Sequence, residues 1–89
     1  MLFRLPVPGE DWTEAERVEL NRLCRESGLL LEAGRADEGD PWCIVHDGAS
    51  IAAHIARIGR AYVVHWPGEQ RSMRAVSITS AVDQVLTGS

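Results

Sequence analysis

The chain has 89 residues, of which 45% are hydrophobic and 25% charged, and a formal net charge of −4. That is enough for one domain spanning 1–89, ordered rather than disordered, with a margin of stability thin enough that an oligomer interface would help. All nine basic residues are Arg, and the acid excess argues against a general nucleic-acid binder, whose phosphate contacts need clustered Lys and Arg.

The charge is uneven. Residues 1–47 hold eleven acids and five Arg, whereas residues 48–89 hold two acids and four Arg. Cys24 and Cys43 form no disulfide framework, and there is no Cys-x-x-Cys. The opening MLFRLPVP is too short for a secretory signal and is broken by Pro6 and Pro8. No apolar run approaches membrane-spanning length. These features point to a cytoplasmic protein with reduced thiols and no membrane partner.

In chain order, residues 1–10 read as an extended, proline-bearing lead, with Leu2, Phe3, Leu5 and Val7 able to lie on the body. A helix is expected from Asp11 or Thr13, because Thr13 with Glu16 matches a capping box and Glu14 and Glu16 are acids in its first turn. Ala15, Val18, Leu20, Leu23 and Cys24 form its apolar stripe, while Glu14, Arg17, Glu19, Arg22 and Glu26 form its solvated side. After Gly28, residues 29–33 suit a second short helix ending at Gly34, because Ser27, Leu30 and Leu31 continue the stripe; an extra strand is the alternative. Arg35 to Pro41 is a polar connector.

Trp42 to Trp66 carries most of the β-forming residues and is cut twice by turns. Gly59-Arg60 suits a type II′ hairpin, since Gly takes φ > 0 without a Cβ clash, and it sets Ile58 opposite Ala61, Arg57 opposite Tyr62 and His54 opposite His65. A four-residue loop from Asp47 to Ser50 sets His46 opposite Ile51 and Cys43 opposite His54. A polar loop from Glu69 to Arg74 follows, with a short edge strand at Met73 to Val76. A last helix then runs from Ile78 to Leu86, with Ser77 as N-cap and Ile78, Val82, Val85 and Leu86 buried. The fold class is α+β: an amino-terminal helix or two, a three-stranded antiparallel meander and a carboxyl-terminal helix.

Side chains alternate across a strand, so this register sorts them into two faces. The heavy face collects Trp42, Ile44, His46, Ile51, Ala53, Ile55, Arg57, Tyr62, Val64 and Trp66. The light face collects Cys43, Val45, Ala52, His54, Ala56, Ile58, Ala61, Val63 and His65. A sheet covered on one side should be polar on the other, and the light face is not, so a second cover is implied. Either residues 1–10 or another chain provides it.

The order α-β-β-β-α is also that of double-stranded RNA-binding domains. The last helix of those domains opens with a lysine cluster, and this chain has only Arg71 and Arg74 nearby. DEGDPWCIVHD (37–47) followed by IAAHIARIGRAYVV (51–64) resembles a short module of uncharacterised bacterial proteins. In that module an acidic Gly-Asp-Pro-Trp lead precedes a hairpin. Its usual Asp-Gly at the second turn is replaced here by Gly-Arg. The resemblance supports the strand boundaries and implies no activity.

Cys43, His54 and His65 align across three strands on the light face, and Cys and His are zinc ligands, so a zinc site or an enzyme built on it is one alternative. A Cys43 nucleophile with His54 as base is another use of that geometry. Asp37, Glu38, Asp40 and Asp47 form a carboxylate cluster, more simply a solvated acidic loop. Trp42, Arg57, Tyr62 and Trp66 are a candidate binding surface, since aromatics concentrate at interaction hot spots, with core edge as the simpler reading. Nucleic-acid binding would fall to Arg57, Arg60, Arg71 and Arg74. The favoured expectation is a non-catalytic protein-interaction module without a cofactor, binding itself as a homodimer and a protein partner.

Overall fold

The computed structural model describes residues 7–33 and 41–88. The elements are α1 (Glu14–Glu26), β1 (Leu30–Ala33), β2 (Cys43–His46), β3 (Ile51–Ile58), β4 (Ala61–Trp66), β5 (Arg71–Ala75) and α2 (Ile78–Thr87). The class is α+β, but the sheet has five antiparallel strands in sequence order, two more than the central stretch alone suggests.

Local chemistry sets the helix ends. Thr13 caps α1 through a capping box: its hydroxyl accepts from the Glu16 N–H, and the Glu16 carboxylate accepts from the Thr13 N–H. At the other end Gly28 adopts φ +77, the Leu29 N–H bonds the Cys24 carbonyl and the Gly28 N–H bonds the Arg25 carbonyl. This is a Schellman stop. It turns the chain out of the helix, so residues 30–33 pair with β2 as a strand rather than forming the expected second helix. Gly34 and the connector through Asp40 lie outside the described residues. Ser77 caps α2, accepting from the Ser80 N–H.

The β3–β4 hairpin has the expected register, with Ile58 opposite Ala61, Arg57 opposite Tyr62 and His54 opposite His65. Gly59 takes φ 61 while Arg60 stays at negative φ, as a type II′ turn requires. The Asp47–Ser50 loop also keeps His46 opposite Ile51. Between Val45 and His46, however, the register shifts: Val45 faces Ala53, leaving Ala52 without a partner on β2. Such a bulge flips every side chain beyond it. Cys43 therefore faces Ile55, not His54, and Ile44 faces His54.

Both helices lie on one face of the sheet. Leu20 and Cys24 of α1 and Ala81 and Val82 of α2 pack with Cys43, Val45, Ile55, Val64 and Trp66. Full burial of one such side chain is worth roughly 1.5–3 kcal/mol. The stripe of α1 is narrower than expected, since Ala15 and Val18 are exposed, and on α2 Leu86 is exposed too. The opposite face carries Trp42, fully buried, with Ala56, Val7, Ile58 and Val63 around it. Trp42 and Ile44 thus leave the expected heavy face, and Cys43 and Val45 join it. Residues 7–10 provide part of the second cover: Val7 packs on the Trp42 cluster, and the Glu10 N–H bonds the Arg57 carbonyl at 2.9 Å. A Cβ on Gly9 would stand 3.3 Å from the Trp42 ring, so this close crossing favours glycine. Leu2, Phe3 and Leu5 lie outside the described residues. No helix among those described is long and apolar enough to cross a membrane.

Candidate functional site

The antiparallel register brings His54 and His65 side by side, with ring centroids 6.3 Å apart and the planes 20° from parallel. The Trp42 indole meets His54 edge-on at 6.4 Å, and His65 Nδ1 lies 2.8 Å from the Ser72 hydroxyl. Both imidazoles are buried. Burial, then the neighbouring His65 and His46, holds the His54 pKa below its ordinary value, and burial does the same for His65. His46 belongs to the same face by strand alternation, at the margin, with Nε2 3.1 Å from Glu32.

Cys43 does not join this pair. The bulge at Ala52 sets it on the helix-covered face, and burial pushes its thiol up to about 11. A thiol so far from ionisation is a poor nucleophile and a poor ligand. Cys24, in the same core, is also pushed up to about 11 by burial. Among the described residues no three His, Cys, Asp or Glu side chains stand close enough to hold a metal ion. Of the carboxylate cluster, Asp37, Glu38 and Asp40 lie outside the described residues. Asp47 caps its own loop, its Oδ1 accepting from the Ala49 and Ser50 N–H groups, and these bonds hold its pKa below the ordinary value.

The four aromatic and basic candidates are also divided by the sheet. Arg57, Tyr62 and Trp66 are on the helix-covered face, and Trp42 is on the other. Arg57 and Tyr62 converge on Glu16 instead of on an external ligand. Arg57 Nε donates to Glu16 Oε2 at 3.0 Å, and the Tyr62 hydroxyl donates to the same oxygen at 2.8 Å. Burial raises the Glu16 pKa, but the Thr13 N–H, Tyr62, the Thr13 hydroxyl and Arg57 outweigh it and bring it below its ordinary value. Tyr62 is pushed up to about 12, by burial first and then by the Glu16 bond. Trp12 packs at a tilt of 31° against Tyr62, with centroids 5.4 Å apart, and donates its indole N–H to the Pro41 carbonyl. This network clamps the start of α1 to the hairpin. Nothing in the sequence announces it, because Glu16 and Tyr62 are 46 positions apart and the capping box already accounts for Glu16.

Arg71 lies over the Trp66 ring, 4.1 Å from its centroid, and bonds Glu69 and the Gly88 carbonyl. Two of the four Arg considered for phosphate binding, Arg57 and Arg71, are therefore engaged within the fold. Arg60 and Arg74 are exposed. No protein-family model matches the chain, and neither a curated protein nor a solved structure matches it.

Proposed function

We propose that this chain is a non-catalytic protein-interaction module that pairs with a second copy of itself through the sheet face opposite the helices. The observation carrying the proposal is the one-sided packing of α1 and α2. It leaves Ile44, Ile58 and Val63 half-exposed on the other face and Leu30, at its edge, 61% exposed. A bare sheet face in a monomer is normally polar.

The charges at the margins favour a second copy as the occupant. Glu32 stands on the outer strand β1 and Arg74 on the outer strand β5, both on this face by strand alternation and both exposed. A two-fold axis along the strands lays β1 over β5 and brings each Glu32 level with Ser72, two residues from Arg74 and within reach of that long side chain. Zinc and catalytic use of Cys43 with His54 and His65 draw no comparable support, since Cys43 stands on the far side of the sheet.

Light scattering coupled to gel filtration over a wide concentration range tests the pairing. A dimer is expected, with Glu32→Arg or Arg74→Glu alone raising Kd by about tenfold and the double reversal restoring it. A clean monomer at all concentrations ends the proposal.

A further inference from the structure

Resting on the self-pairing proposed above, we infer that acid switches it: two copies pair near neutral pH and part in mildly acidic solution while each keeps its fold. All three histidines of the chain stand on the face opposite the helices, His54 and His65 within it and His46 at its margin. The register sets Glu32, Ile44, His54, His65 and Ser72 in one row across the five strands. A two-fold axis along the strands turns that row onto a second copy in reverse order. His54, on the central strand β3, then falls at the axis over His54 of the second copy, and His65 falls over its Ile44.

An imidazole takes a proton readily only where water or an acid can meet the charge. His54 is 5% exposed and His65 4% exposed in a single copy, and a second sheet laid over them removes the water that remains. Packed sheets stand about 10 Å apart, close enough for two protonated His54 rings at the axis to repel through a dry interface. Within each copy His54 and His65 already stand 6.3 Å apart, and His46 is a third imidazole within electrostatic reach of His54. The charged and polar groups of the neighbouring elements do not offset this. From β1 comes Glu32, which is engaged 3.1 Å from His46 Nε2. From β5 come the Ser72 hydroxyl, 2.8 Å from His65, and Arg74, a further cation. On the crossing segment, Glu10 accepts from the Gly59 N–H and lies 3.5 Å from Arg57. His46 pulls in the same direction from the margin: once protonated, it competes with Arg74 of the second copy for Glu32. A group that binds its proton less readily in the pair than in a single copy favours pairing at higher pH, and that gain is lost as pH falls.

The test is light scattering coupled to gel filtration at about pH 7.5 and about pH 5.5, at one ionic strength, with circular dichroism at both. Kd is expected to rise by about tenfold between them while the far-ultraviolet spectrum holds, because each copy must shed its imidazole proton before pairing and the two costs multiply. His54→Phe puts an uncharged ring at the axis and should keep the pair at the higher pH while flattening its pH dependence. A second readout needs no variant. Followed by NMR, the imidazoles of the unaltered chain should titrate at a higher pH in dilute samples than in concentrated ones, since the coupling of proton and second copy is reciprocal. Single copies at both pH values overturn the pairing and the switch together. A pair of equal Kd at the two pH values overturns the switch alone. So does parting that coincides with loss of the circular dichroism signal, full pH dependence in folded His54→Phe, or imidazole titration that ignores dilution.

Discussion

The two faces of the sheet solve burial differently. On the helix side, Val45, Ile55, Val64 and Trp66 meet Leu20, Cys24, Ala81 and Val82, and the interior is apolar with two protonated thiols. On the other side the central positions are Trp42, Ala56, His54 and His65, covered among the described residues only by the crossing at Val7 to Glu10. The interior of the first face stays apolar at any ordinary pH, its charged Arg57 and Glu16 lying partly exposed at the margin. The second is apolar only while its imidazoles are neutral, so its burial is conditional on pH in a way the helix side is not.

The largest expected effect sets one face against the other. If Trp42 is as much a core residue as its complete burial implies, Trp42→Ala should cost about 4 kcal/mol in urea unfolding, and Ile55→Ala on the helix side about 3 kcal/mol. A loss below about 1 kcal/mol for Trp42→Ala would mean that its side collapses or opens freely, leaving one true core.

Acid should separate the faces next. His54 and His65 both titrate below 6.5 in the folded state, so the unfolded chain binds more protons in mildly acidic solution. The stability they contribute is present above the unfolded value and is lost as pH falls through the lower folded values. The urea midpoint should therefore drop between about pH 7 and pH 5, before most carboxylates titrate. His54→Phe should flatten that drop. A profile that is level over the interval, or equally steep in the variant, would show that the pair gains its protons without cost.

What the sequence made legible follows range. The capping box at Thr13 and Glu16, the Ser77 cap and the Gly59-Arg60 hairpin each involve residues a few positions apart, and each stands where the local pattern puts it. The His54–His65 pair follows from that hairpin alone. The strand at residues 30–33 was hidden, because Leu30 and Leu31 fit a helical stripe as well as an edge strand and only pairing with β2 decides between them. The Ala52 bulge left no mark either. Ala is at home on both faces, so nothing in IAAHI says which residue goes unpaired, and that one residue moved Cys43 away from the histidines and Trp42 onto their side. Of the candidate zinc triad, two members came together and the third was lost to a single unreadable step in register.

The smallest expected effect tests the clamp that ties α1 to the helix side. Tyr62→Phe removes the hydroxyl bonded to Glu16 and leaves the ring on Trp12. A hydrogen bond to an ionised group can contribute more than a neutral one, but this site is only partly buried, so the loss should be about 1 kcal/mol. Glu16 keeps Arg57 and the Thr13 N–H, which limits the damage. The same variant should raise the Glu16 pKa, because one of the bonds holding it down is gone. Acid unfolding should then begin at a slightly higher pH than in the parent, since a carboxylate with a depressed folded pKa stabilises above its unfolded value and that contribution shrinks with the shift. If Tyr62→Phe lowers stability equally at all pH values, the hydroxyl acts through packing and the clamp is Arg57 with Glu16 alone.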